Sequence, residues 1–296
     1  MPALLRVARI IVFLFGTHYL IAPANAVAQV TPATNFQGLW WAAPAGSESG
    51  WGINFAHQGD VIFATWFTYD TQGNAIWWSM TAHQVALGVF TGMLVETWGP
   101  PVTTTPFEPN DVKLATNPGE ATLTFTSATT GTFETRMGGV NQTKAITVQA
   151  FGPVPTCAWG TQPDLARATN YTDLWWAAPP GSESGWGINL THQGTNIYAT
   201  WFVYNMNSRP LWYSVIAAQV GPATYARELR RTNGPAYNSE PFDPKDISYV
   251  STGTATFTFS DGNNATFSYF LINGFQSSGS KAITRQVFRP PGTVCQ

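Results

Sequence analysis

Charge is scarce in this chain. Lys, Arg, Asp and Glu make up 10% of its 296 residues, against about 25% in ordinary globular domains. No cluster of Lys and Arg occurs, so the basic footprint that neutralises nucleic-acid phosphates is missing and a polynucleotide partner is disfavoured. Histidine is rare as well, with four residues, and no spacing of His, Cys and carboxylates matches a metal site. The two cysteines, Cys157 and Cys295, form no CxxC, which removes thioredoxin-like redox chemistry and cysteine-zinc sites. No stretch reaches the roughly 20 consecutive apolar residues of a membrane-spanning helix, so stable membrane insertion is not expected. Nothing in the residue pattern calls for a cofactor.

What is present starts with a leader. Arg6 and Arg9, the apolar run from Ile10 to Phe15, and Ala24-Asn25-Ala26 have the charged region, short apolar region and A-x-A site of a secretory signal peptide cleaved after Ala26. The expected location is the periplasm or the extracellular space. Removing the leader leaves 12 basic against 16 acidic residues, a formal net charge of −4. In an oxidising compartment Cys157 and Cys295 read as one disulfide tying the start of the second half of the chain to its end.

Tryptophan, with 13 residues, is abundant, and it comes in a duplication. LWWAAPAGSESGWGINFAHQGDVIFATWFTYDTQGNAIWWS, from Leu39 to Ser79, recurs from Leu174 to Ser214, displaced by 135 positions and identical at 26 of 41. PFEPND near Asp111 matches PFDPKD near Asp246, and KAIT at Lys144 matches KAIT at Lys281. The chain therefore divides into a leader (1–26), a polar lead-in (27–37), a first repeat (38–151), a Pro- and Gly-rich linker (152–172), and a second repeat with a C-terminal tail (173–296). Repeats of about 110 residues are whole domains, longer than the 20 to 50 residues of solenoid or propeller units.

Within each repeat the hydrophobic period is two. Trp51, Ile53, Phe55 and His57 share one face; Ile62, Ala64 and Trp66 alternate with Phe63, Thr65, Phe67 and Tyr69. Gly-containing breaks every 8 to 15 residues fit hairpin-connected antiparallel strands. About eight strands per repeat follow, near 38–42, 51–58, 61–69, 75–82, 88–97, 120–127, 131–138 and 144–151. The expected fold is all-β: two tandem antiparallel meanders, each closing into a small β-barrel, packed side by side, with open sandwiches as the alternative. The strand at 61–69 is apolar on both faces, so its outer face needs a cover, from the sister repeat or from a second copy of the chain in a homo-oligomer.

The most preserved string is GSESGWG, at Gly46 to Gly52 and again at Gly181 to Gly187. It reads two ways. As structure, the glycines take positive φ in a tight turn whose donors Ser47, Glu48 and Ser49 satisfy. As a site, hydroxyls and a carboxylate beside an aromatic face suit a glycan or small polar ligand. The candidate ligand-binding residues are Ser47, Glu48, Ser49, Trp51 and His57, with Ser182, Glu183, Ser184, Trp186 and His192 in the second copy. A Ser-Glu-His hydrolase would need a base beside its nucleophile, yet no nucleophile elbow accompanies these residues. No catalytic and no metal-binding residue is assigned.

The pattern LWWxxP…SGWGxNxxHQG…FATWFxY, closing with KAITxxxF, resembles a Trp-rich tandem repeat of uncharacterised exported bacterial proteins. It carries no catalytic residue. Eight short strands behind a GxWW opening look, in architecture, like the ligand barrels of avidins and lipocalins, a likeness that transfers no biotin-contacting set. The expectation is an exported binding protein for a glycan or small amphipathic ligand, one site per repeat. The alternatives are an extracellular hydrolase acting on a polymer and a structural or adhesion surface protein.

Overall fold

The structure, a computed structural model, describes residues 29–101, 103–115, 119–272 and 276–296; the leader read from the sequence lies outside the described residues. Two closed eight-stranded antiparallel barrels account for most of them. The first contains β1 (Gly38–Ala42), β2 (Gly52–Gln58), β3 (Val61–Tyr69), β4 (Ala75–Ala86) and β5 (Val89–Val95). A small β6–β7 hairpin (Thr97–Trp98 and Lys113–Leu114) interrupts it before β8 (Gly119–Phe125), β9 (Thr130–Met137) and β10 (Val140–Val148). After β11 (Cys157–Trp159), the second barrel runs through β12 (Asp173–Ala177), β13 (Gly187–Gln193), β14 (Asn196–Tyr204) and β15 (Pro210–Gly221). It finishes with β16 (Thr224–Asn233), β17 (Ser248–Phe259), β18 (Asn264–Ile272) and β19 (Gln276–Arg285). The last strand, β20 (Thr293–Cys295), pairs with β11, where Cys157 and Cys295 form the expected disulfide. Among the described residues no helix is long and apolar enough to cross a membrane.

Barrels this small are filled by side chains. Trp40, Phe55, Phe90 and Phe125 occupy one end of the first lumen, and Trp66, Trp78 and Phe133 the other. Of the outward side chains of β3, Thr65, Phe67 and Tyr69 are buried and Phe63 is half-buried, because the second barrel covers them. The contacts are reciprocal. Trp77 Nε1 donates to the Val203 carbonyl and Trp212 Nε1 to the Thr68 carbonyl, both at 3.0 Å. Asn54 Nδ2 reaches Thr200 Oγ1 at 3.3 Å, and Asn189 Nδ2 reaches Thr65 Oγ1 at 3.2 Å. Each pair maps onto the other by the 135-residue offset of the duplication, so the repeats meet as a pseudo-twofold dimer inside one chain. The sister repeat, then, supplies the cover that the apolar outer face of β3 requires.

The barrel ends are closed by segments from outside the lumen. Phe36, in the stretch read as a polar lead-in, lies stacked on Phe125 with ring centroids 3.7 Å apart. Tyr171, in the stretch read as a linker, stacks on Phe259 at 3.5 Å. At the opposite mouths the repeats exchange loops. The β16–β17 loop of the second repeat brings Tyr237 against Trp66 and Trp78 of the first, and Phe242 against Tyr69. The β6–β7 loop of the first repeat places Phe107 beside Trp186 and Tyr204 of the second.

Candidate functional site

The two GSESGWG loops fold alike and are tied down alike. Trp51, 2% exposed, donates its indole N–H to Glu48 Oε2 at 2.8 Å. Lys144, on β10, donates to the same oxygen at 2.6 Å and lies 5.2 Å over the Trp51 ring. The second copy repeats this: Trp186 to Glu183 at 2.9 Å, Lys281 to Glu183 at 2.6 Å, and Lys281 5.3 Å over Trp186. One carboxylate thus joins the loop to the last strand of its barrel, a charge-assisted closure. Gly50 and Gly185 both have φ of +128°, a region closed to most side chains. A Cβ on Gly50 would also collide with Ile247, and one on Gly185 with Val112. Those two aliphatics sit on the exchanged loops, so the glycines are seats for the sister repeat. Ser47 and Ser182 are exposed, while Ser49 and Ser184 donate to the carbonyls of Gly46 and Gly181 at 3.3 Å.

The histidines stand apart from these loops. His57 follows Trp51 by six positions along β2, about 20 Å at 3.3 Å per residue, and the structure does not bring it near Ser47 or Glu48. It is buried and latches the plug. Nδ1 accepts the Phe36 N–H at 2.9 Å, and the Nε2 N–H faces the Gly59 carbonyl at 3.0 Å. Burial pushes its pKa down to about 4. His192 holds Tyr171 in the same manner, and burial lowers its pKa as well. The adjacent Gln58 and Gln193 each grip the segment that leaves the last strand of the opposite barrel, through Gln286 and Gln149 carbonyls.

Two members of the candidate set, Ser184 and Trp186, border open space. Ser184, Gly185 and Trp186 line a cavity of about 230 Å³ at the junction of the barrels. Its aromatic walls are Phe63, Trp77, Trp176 and Phe202; Ser79 and Thr97 add hydroxyls to that of Ser184. The buried indole N–H of Trp176 has no partner among the described residues. Neither a family model, nor a curated protein, nor a solved structure matches this chain. Among the described residues no group of three or more His, Cys, Asp or Glu is placed to hold a metal ion.

The corresponding place on the other side of the pseudo-twofold is occupied differently. Phe67 reaches to 2.6 Å from where a Cβ of Gly52 would stand, whereas no Phe202 atom lies within 4 Å of the equivalent point at Gly187. Phe63 is replaced there by Tyr198, whose hydroxyl engages Ser214. The duplication builds the same frame twice, and two aromatic side chains set how much room each copy keeps. Sequence reasoning found Ser184 and Trp186 but missed Trp77, Trp176 and Phe202, whose place at the cavity follows only from the docking of the barrels.

Proposed function

We propose that this protein is an exported binding protein for a small amphipathic molecule, with the ligand held between the two barrels. The observation that carries the reading is the inter-barrel cavity: aromatic side chains and three hydroxyl-bearing residues around about 230 Å³. A cavity of about 150 Å³ holds a benzene-sized ring, so one sugar ring or a comparable polar ring fits. Aromatic faces stack on such rings while hydroxyls orient them. Export is supported by the leader motif and by the Cys157–Cys295 disulfide, a bond that persists in oxidising compartments.

Thermal-shift and ligand-observed NMR screening of monosaccharides and small polar aromatics should find binders. Gly187→Val is the decisive variant. A Cβ at Gly187 meets the Trp175 carbonyl oxygen at 3.3 Å, tight but short of a collision; in the variant shown by circular dichroism to be folded, the added methyls enter the cavity and binding should fall at least tenfold. Unchanged affinity in folded Gly187→Val would remove the ligand from this cavity.

A further inference from the structure

The exchanged loops close the two barrel mouths unequally. In the first barrel Tyr237 caps the lumen, its ring centroid 5.2 Å from Trp78 and 5.9 Å from Trp66, with its backbone N–H donating to the Tyr69 carbonyl. The loops dock in matching fashion, since Gly234 N–H donates to the Gly73 carbonyl and Gly99 N–H to the Ser208 carbonyl. The duplication pairs Tyr237 with Val102, which lies outside the described residues. Where the first barrel has its tyrosine cap, the second has a cavity of about 450 Å³ at its mouth. Tyr213, the counterpart of Trp78, lines it together with Leu211, Leu271 and Met206, the last 77% exposed. Below, Tyr269 packs on Trp201 at 4.8 Å, a position that is Thr135 in the first barrel.

The charge at the two mouths differs as well. Glu96 of the first repeat is replaced by Arg231 in the second, and Arg231 lines the cavity. Its guanidinium makes no ion pair among the described residues, unlike Arg230, which pairs with Glu228 at 3.4 Å. No carboxylate is among the described residues that line the cavity. A free guanidinium beside an apolar floor recognises an anionic head on a compact hydrophobic body. We propose that the mouth of the second barrel is a separate binding site for a small amphipathic organic anion, an aromatic or short aliphatic carboxylate or sulfonate, and that the first barrel has no equivalent because Tyr237 caps its mouth and Glu96 stands in place of Arg231.

The test is a fluorescence titration of the full chain with 8-anilinonaphthalene-1-sulfonate. One saturable site is expected. Arg231→Gln, an exposed substitution with little bearing on folding, should weaken it about tenfold, the scale of one hydrogen bond to a charged group. The proposal is overturned if Arg231→Gln binds as the parent does. It is equally overturned if Gly187→Val abolishes the signal, which would put the probe between the barrels.

Discussion

At the residue scale, the preserved positions of the duplication are mostly joints. Trp51 and Glu48 close a loop onto Lys144, His57 holds the Phe36 plug, and Gln58 grips the sister barrel. The histidine has a pH consequence. Its folded pKa is lowered to about 4 while the unfolded ring titrates near 6.5, so the unfolded chain binds more protons between those values. The stabilisation is full above about pH 6.5 and is lost as pH falls toward 4, up to about 3 kcal/mol at 1.4 kcal/mol per unit. Asp173 acts in the opposite sense: burial pushes it up to about 6 despite its pairing with Arg285 at 3.0 Å. Its contribution is full below the ordinary carboxylate range and is lost as pH rises through 6. Comparing His57→Gln with the parent separates the two. The substitution should destabilise at pH 7 and do so progressively less toward pH 4.5 in urea titrations; a cost independent of pH would mean that folding does not shift the pKa of the ring.

At the element scale, strands were legible and loops were not. Alternation at Ile62, Ala64 and Trp66 against Thr65, Phe67 and Tyr69 locates β3, because a strand's period of two is a local property. The strand ranges read from the sequence lie within a few residues of β1 to β5 and β8 to β10. The loops around Phe107 and Phe242 carry no such period, and PFEPND and PFDPKD look like ordinary turns; nothing local says that each lies on the opposite barrel. A faint clue existed upstream. Phe36 and Tyr171 share the 135-residue offset, so the duplication reaches beyond the first strand of each repeat. The exchange makes Phe242, 3% exposed, a support of the first barrel although it belongs to the second repeat. Phe242→Ala should cost about 3 to 5 kcal/mol. It should also speed hydrogen exchange of the Trp51 indole proton, read by NMR; unchanged protection at Trp51 would show the loop to be dispensable.

At the scale of the whole molecule, two barrels joined by reciprocal tryptophan hydrogen bonds, exchanged loops and crossed glutamine grips should unfold as one unit. Urea denaturation monitored by tryptophan fluorescence and by circular dichroism should give coincident single transitions, and separate steps would contradict the joint core. The disulfide links residues 138 apart in sequence, holding the second repeat closed. Reduction should lower stability by up to about 5 kcal/mol, an upper value from chain entropy alone. The native fold should survive reduction at low temperature, because the barrels close without β11 and β20.

The sequence by itself determined the strands, the duplication, the barrel class and the cysteine pair, because periodicity, turn residues and residue counts are local or additive properties. It also named the GSESGWG loops, but it could not weigh a ligand loop against a structural joint. Only the tertiary structure decided that Glu48, Gly50 and His57 serve closure and docking, and that open space remains beside Ser184 and Trp186 and at the mouth beside Arg231. Cavities are what is left over when side chains from distant parts of the chain meet. Two homologous repeats can leave different remainders, here through Phe67 against Phe202 and through the Tyr237 cap on the first barrel, and no pattern within either repeat records that difference.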